Sequence, residues 1–550
     1  MSQATIHQPR ESLDRQSVPG LLAAVSRRNP DAPALIHGER VYSFAQLDEA
    51  ARRAATALSE LGIGPGDRVA LWLPNVPAWP ILYLACCHLG AIAVAVNTRF
   101  RSVEVADIVS RSGARLLACW PGFKQIDFLA ILAEIDPAAL AGLQTVVTWN
   151  APGEEAATNL PPSIERLNVV PFDRLLERPA LEHSRAAPEA PCNIFTTSGT
   201  TKAPKFVLHR QGAIAAHNAR VAQAFGFDGR DTRQLLMLPF CGVFGFNQAL
   251  TTWAAGAPLH LMEIFDVERA LAQIERHRIT QLFGSDEMMD RLLAAQLAAH
   301  PGREVAFPSV RWAGFAGFNT ALADIVARAD RHGLKLAGLY GMSEIQALFA
   351  RQRIEAPVAE RAEGGGWPVS PLTRVRIRDP ETGKLLGHGQ PGEIEVSGPS
   401  VMVGYFNDRE ATNQAMLADG FLKTGDLGLT HGDGRFTFLT RMGDVLRLAG
   451  FLVSPLEIET HLQGHDTVEA AQVVALTRTE GVRAVAFVVL RPGASFDQDA
   501  LLAHCRAGLA NYKVPLAVFA VEDFPRTPSA NGAKIQRNRL REMAAERLAN

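Results

Sequence analysis

The chain has little cysteine and no pattern in it: Cys86, Cys87, Cys119, Cys192, Cys241 and Cys505 form no CxxC pair and follow no regular spacing. That excludes a disulfide framework or a cysteine-based zinc module as the organising principle, and reduced thiols in a cytoplasmic protein are expected. An excess of charge is also missing. The 55 lysines and arginines nearly cancel the 57 aspartates and glutamates, which removes the electrostatic reason for a nucleic-acid partner. The first residues, MSQATIHQPRES, lack a basic-then-apolar leader pattern and the last, RLAN, carry no lipidation or sorting signal, so no targeting segment is expected. Only Val76–Val96 is long and apolar enough to suggest a membrane span; apart from cysteine and tyrosine, its one ionisable side chain is His88. Pro77 and Pro80 at its start and Gly90 within it favour a buried helix followed by a central strand, so no transmembrane segment is expected.

What is present is the composition of a globular protein, 47% hydrophobic and 20% charged, in 550 residues. That length accommodates three to four units of about 150 residues. Ser43 is placed to cap a helix with apolar residues at Leu47, Ala51, Ala54, Ala55 and Leu58, and Gly62 with Gly64-Pro65-Gly66 ends it. A strand over Arg68–Leu73, a buried helix and further strands then alternate to about Ala118, an α/β pattern. Asn150–Pro191 reads as surface connection, and Gln211–Phe225 as an Ala-rich helix. Between Arg374 and Phe438 strand alternation takes over, with a hairpin at Gly432-Asp433-Gly434. Beyond Arg441-Met442-Gly443-Asp444 the pattern changes to a compact α+β unit, which places a domain boundary at 441–443. His461 and His465 have metal-ligand spacing on a helix, but no third ligand accompanies them and a structural role is favoured.

Four short stretches carry chemistry. Phe195–His209, FTTSGTTKAPKFVLH, is a strand, a hydroxyl-rich loop and a second strand. Such a loop serves either as a solvated turn or as a phosphate cradle whose N–H groups, hydroxyls and lysines (Lys202, Lys205) meet phosphate oxygens. Pro204 stands where the usual P-loop, counted from Gly199, needs its second glycine. Leu235–Pro239 is strand-like and opens onto Phe240-Cys241-Gly242-Val243-Phe244-Gly245-Phe246, either a pocket lining or a core turn. Leu334–Leu339 leads into Tyr340-Gly341-Met342-Ser343-Glu344, at the strand end where open α/β sheets bind ligands. Thr424-Gly425-Asp426, standing alone, is a turn.

Taken in order, TTSGTTKAPK, LYGMSE, GEIEVSGPSVMVGYFN, TGD, the run Arg441–Glu459 and NGAKIQR make the chain resemble the adenylate-forming superfamily of acyl-CoA synthetases, luciferases and peptide-synthetase adenylation domains, over about Leu21 to Leu548. The resemblance implies an α/β protein. Its large N-terminal domain (1–440) has two α/β subdomains and a β-barrel-like part; a hinge (441–443, centred on Gly443) joins it to a small mobile C-terminal α+β domain (444–550). It further implies ATP-dependent activation of a carboxylic acid to an acyl-adenylate and transfer to CoA, with AMP and pyrophosphate released and Mg²⁺ as the metal. Thr197, Ser198, Gly199, Thr200, Thr201 and Lys205 would hold the phosphates, and Tyr340, Gly341, Met342, Ser343 and Gly317 would surround the nucleotide. Asp426, supported by Arg441, would take the ribose. Glu344 would hold Mg²⁺ and, with Thr200 and Lys534, act in catalysis. Phe240, Gly242, Phe244, Phe246 and Phe315 would line the acyl pocket, and Ala449, Gly450 and Phe451 the CoA tunnel. The partners implied are a small carboxylic acid, fatty or aromatic, with ATP and CoA; a homodimer is left open.

The sequence departs from the family pattern at four positions. Lys202 and Phe206 replace glycines of the phosphate loop, Gly242 stands where many relatives carry histidine, and Gly443 occupies the usual Asp or Lys of the hinge. A glycine there permits backbone rotation. Two other readings share the motifs: an enzyme that loads a separate carrier protein, and a relative that binds nucleotide without catalysis.

Overall fold

In the computed structural model the chain is described over residues 16–154, 160–197, 204–317, 322–448, 451–478, 481–529 and 532–549. Ser43 caps the helix Phe44–Glu60 reciprocally: its Oγ accepts from the Gln46 N–H at 3.2 Å, and Gln46 Oε1 accepts from the Ser43 N–H at 2.9 Å. Losing such a cap costs about 1 kcal/mol. The apolar stretch expected to stay off the membrane is the helix Ala78–Leu89, buried at every position and stopped by Gly90 in the left-handed conformation (φ 71°). It leads into the strand Ile92–Ala95, which pairs in parallel with Arg68–Trp72 on one side and Pro191–Thr196 on the other. A strand buried on both faces needs an unbroken apolar run. No helix among the described residues is long and apolar enough to cross a membrane.

Two compact units make up the chain, one of Met1–Phe283, Gly341–Phe349 and Gly398–Gln414, the other of Gly284–Tyr340, Ala350–Ser397 and Ala415–Asn550. The first holds a sheet in the strand order 404–405, 206–210, 191–196, 92–95, 68–72, 116–119, 145–148, 168–171. From 191–196 to 168–171 the pairing is parallel; 206–210 and 404–405 join antiparallel. Leu117, Val146, Ile194 and Phe206 enter the core beneath it. Elsewhere in this unit the strands 33–37, 259–261 and 234–236 pair in parallel in that order.

In the second unit the strand Trp312–Ala316 runs parallel to Leu336–Met342, and an antiparallel array follows in the order 374–378, 392–397, 422–430, 436–441, 364–368. This array is the part expected to be barrel-like; it is open. Residues from 446 onward pack the helices Pro455–Gln463 and Gln498–Gly508 on strands 468–478, 481–490 and 517–520. The rings of His461 and His504 stack at 4.4 Å, each ring nitrogen on the other's carbonyl at 3.0 and 2.8 Å. No group of three or more metal-ligating side chains occurs among the described residues.

Several local expectations change. The connection 150–191 contains an edge strand, Asn168–Pro171, paired with Thr145–Thr148. The aromatic loop after Pro239 is short, because the helix Val243–Ala254 begins inside it. Thr424-Gly425-Asp426 is strand, within Leu422–Thr430, although Gly425 has the positive φ (69°) of a turn residue. The segment before Lys534 is a hairpin, Arg526–Ser529 with Gly532–Ile535, in which Thr527 pairs with Lys534. All six cysteines are free.

Candidate active site

In the first unit the motif residues converge on Tyr405. Strand 404–405 pairs with Val207 and Leu208, which brings the Tyr405 ring under the Lys205 ammonium at 4.7 Å and its hydroxyl to Glu344 Oε1, to which it donates at 2.9 Å. A cation over a tyrosine ring and a phenol on a carboxylate fix the directions of both charged groups. Glu344 and Tyr405 are each 8% exposed. Thr197 closes the near end of the loop: its N–H donates to the Lys205 carbonyl at 3.0 Å and its Oγ1 accepts from the Lys205 N–H at 3.2 Å.

The backbone bearing Glu344 is strained and held. Gln346 and Leu348 have φ of 70° and 61°, sparsely populated for residues with a Cβ. His209 donates Nε2–H to the Ser343 carbonyl at 2.7 Å, His217 does so to Ala347 at 2.7 Å, and Asn247 Nδ2 donates to Gln346 Oε1 at 2.9 Å. Complete burial pushes both histidines down to about 4, so each is a neutral donor at pH 7. Gly341 lies against the same turn; a Cβ there would stand 2.7 Å from Ala347 Cα, which only glycine avoids.

In the second unit Asp426 is the centre. It is 1% exposed, and its Cα partner across the strand pair is Arg441. Tyr340 donates its hydroxyl to Asp426 Oδ2 at 2.6 Å, Arg441 Nη1 lies 3.1 Å from Oδ1, and the Asp426 N–H donates to Thr424 Oγ1 at 3.1 Å. Burial and the Asp426 charge push the Tyr340 phenol well above its ordinary range, so it stays a donor. The ring, 7% exposed, packs edge-on to Phe436 at 5.2 Å and beside Phe438 at 5.7 Å. Tyr340 therefore orients Asp426, a role its motif does not announce. Gly317 is exposed at the end of Trp312–Ala316; a Cβ there would lie 3.8 Å from Phe315 and 3.9 Å from Asp286 Oδ2.

The residues expected in the acyl pocket divide. Phe240 and Phe246, each 1% exposed, belong to a buried aromatic cluster: Phe240 stacks on Trp79 at 4.8 Å, and Phe246 meets Tyr83 at 5.0 Å and Phe195 at 5.2 Å. Phe244 meets Phe283 at 6.4 Å, and Phe315 is buried in the other unit. Cys241, Gly242 and Val243 are half-buried. The Phe206 departure has a physical reason: its ring faces the core of the parallel sheet, with the Arg111 guanidinium over it at 4.3 Å. Ser198, Gly199, Thr200, Thr201, Lys202, Ala449 and Gly450 lie outside the described residues, as do the side chains of Phe451 and Lys534. Backbone pairing sets Phe451 opposite Leu448. Gly443 has open space about it and no left-handed φ, and its carbonyl accepts from Arg541 Nη2 at 2.8 Å.

Sequence reasoning missed Tyr405, His209 as an anchor, Thr424 and Arg541. Tyr405 lies within the GEIEVSGPSVMVGYFN run, but nothing local shows that this strand returns to Val207.

The chain is similar to known proteins over nearly its whole length. The profile of the AMP-binding enzyme family matches residues 22–406, and that of the AMP-binding enzyme C-terminal domain matches 457–531. The chain is 34% identical over 551 residues to a (7a-methyl-1,5-dioxo-octahydroinden-4-yl)propanoyl:CoA ligase of Mycobacterium tuberculosis, covering 96% of this chain and 99% of that protein. It is 31% identical over 528 residues to a feruloyl-CoA synthase of an Amycolatopsis species, covering 94% and 96%. The structure of ATP-bound MatB from Rhodopseudomonas palustris superposes with a TM-score of 0.81 at 26% identity, covering 96% of this chain and 99% of that one. The chain belongs to the AMP-binding enzyme family and is an adenylate-forming acyl-CoA synthetase, an AMP-forming acid–thiol ligase.

Proposed function

We propose that this ligase activates a bulky apolar or aromatic carboxylic acid, with Lys205 and Glu344 serving the phosphates of ATP and Asp426 its ribose. The observation that carries the reading is the position of Tyr405, which touches both the cation and the carboxylate of the phosphate cluster. Asp426, held by Tyr340 and Arg441, accepts from the ribose hydroxyls in this reading. Attack of one anion on another needs positive charge on the leaving pyrophosphate and on the developing charge at the α-phosphate. Lys205 supplies the first and Lys534 the second, with Thr200 and its neighbours donating to phosphate oxygens.

Glu344 fits Mg²⁺: it is a hard oxygen donor whose second oxygen remains beside the one held by Tyr405. Among the described residues it has no partner ligands of the number a protein-only cage needs. Mg²⁺ typically takes one or two carboxylates together with substrate phosphates, and when bound it neutralises phosphate charge.

The loop Phe240–Phe246 contributes to the acyl pocket in this reading. Phe240 and Phe246 are its rigid backing and the half-buried Gly242 its open point. Relatives named for feruloyl and for a bicyclic propanoyl group support an acid of that bulk. For the second step, residues 444–550 rotate about Gly443 and bring the segment 448–451 to the CoA thiol. The free thiols fit a cytoplasmic enzyme. The test is a screen of acetic, malonic, fatty, cinnamic and polycyclic acids by pyrophosphate release with and without CoA. Release with cinnamic or polycyclic acids supports the reading; release confined to acetate or malonate overturns the pocket assignment.

A further inference from the structure

An ion pair between residues distant in sequence joins the hairpin that carries Lys534 to the helix Asp286–Ala299. Arg526 opens the hairpin and pairs with Ile535, and the next residue, Thr527, pairs with Lys534. Arg526 Nη1 donates to Glu287 Oε1 at 3.1 Å. Glu287 sits in the first turn of the helix Asp286–Ala299, whose cap is Ser285 and whose first residue, Asp286, faces Gly317. The path Lys534–Thr527–Arg526–Glu287–Asp286–Gly317 thus runs from the proposed catalytic lysine to the strand end expected to meet adenine. Around it the hairpin is braced from its own domain: Gln536 N–H donates to the Pro525 carbonyl at 2.8 Å, and Arg526 Nη2 approaches Asp523 at 3.4 Å.

We infer that the Arg526–Glu287 ion pair is a positioning latch that docks the Lys534 hairpin for adenylate formation and opens when the C-terminal domain turns to receive CoA. The inference rests on the reading that Lys534 acts in the first half-reaction. The pair suits a latch. Both side chains are about one-third exposed, 31% and 30%, so water re-solvates them on separation and little free energy opposes the turn. Glu287 is also favoured by the positive end of its helix, which keeps the acceptor in place while its partner leaves. A buried pair would carry a large penalty on separation and block the cycle.

The test uses the full-length protein with three variants: Arg526→Glu, Glu287→Arg and the double swap. Pyrophosphate release is measured with MgATP and ferulic acid, and the second step with preformed feruloyl-adenylate and CoA. Hydrogen exchange of the backbone over 526–535 is followed with MgATP alone, so failure of the acid reading and failure of the latch are distinguishable. Each single variant is expected to lower pyrophosphate release about fivefold or more and to speed exchange in the hairpin, with CoA transfer within about twofold of wild type and the double swap restoring both readouts. Unchanged hairpin exchange in the single variants overturns the latch. So does an equal fall of both half-reactions, or a double swap that restores nothing.

Discussion

The hydroxyl of Tyr340 donates to Asp426 across 86 residues of chain at 2.6 Å, and so couples the LYGMSE motif to the TGD motif through a buried carboxylate. Neither motif contains the other's partner. The pairing of strands 422–430 and 436–441 adds Arg441 on the opposite oxygen, leaving the carboxylate rigid before any nucleotide arrives.

Asp426→Ala should therefore weaken ATP binding by about 1.5–3 kcal/mol, the scale for a hydrogen bond to a charged group. Tyr340→Phe, which keeps the ring and removes the donor, should produce a smaller loss and a lower Tm. Titration calorimetry with ATP decides: unchanged affinity in Asp426→Ala removes this residue from the nucleotide site.

Lys534→Ala should lower adenylate formation by about 100-fold or more, as expected when a cation acts on charge that develops in the transition state. Thioester formation from a preformed acyl-adenylate should be nearly unchanged. Equal losses in the two assays would show that the lysine supports the domain and not the chemistry.

Gly443 has room for a side chain and an ordinary φ in this state, so Gly443→Ala should fold and form adenylate normally. Gly443→Pro fixes φ near about −65° and should spare the first half-reaction while slowing CoA transfer steeply. Arg541→Ala, which frees the Gly443 carbonyl, should leave Tm close to wild type and change only the second step. Single-turnover rates of each step separate these outcomes; wild-type CoA transfer in the proline variant would move the hinge elsewhere.

Stability should fall on mild acidification. Burial holds His209 and His217 at about 4 and His260 at about 3, below the ordinary 6.5. Between these values the unfolded chain takes up protons that the folded protein refuses, so stability declines as pH drops from 6.5 towards 4. Glu263, held down to about 2 chiefly by hydrogen bonds from His37 and Arg269 acting against its own burial, contributes its loss only below its ordinary 4.5. Thermal unfolding at about pH 7.5 and about pH 5 should show Tm lower by at least about 2 °C in acid, and His217→Gln should flatten that difference. A Tm independent of pH over this range would mean that the rings are charged in the folded protein.

Much of this protein is determined by short stretches of sequence. The Ser43 box, the Gly90 stop and the doubly buried strand Ile92–Ala95 follow from residues within one turn or one strand of each other, because capping, left-handed φ and apolar runs are local in origin. The motifs bearing Lys205, Glu344, Asp426 and Lys534 were likewise legible, since their spacing is linear. Only tertiary structure decided what those residues touch. Strand register places Tyr405 between Lys205 and Glu344, puts Arg441 opposite Asp426 and makes a hairpin of the NGAKIQR segment. Packing turned Phe206 into a core residue and Phe240 and Phe246 into an aromatic backing, and folding brought His209 to the Ser343 carbonyl. The physical reason is that hydrogen-bond register and side-chain packing depend on partners outside the local stretch, many of them far along the chain, as Tyr405 with Glu344 and Arg526 with Glu287 illustrate (separations of 61 and 239).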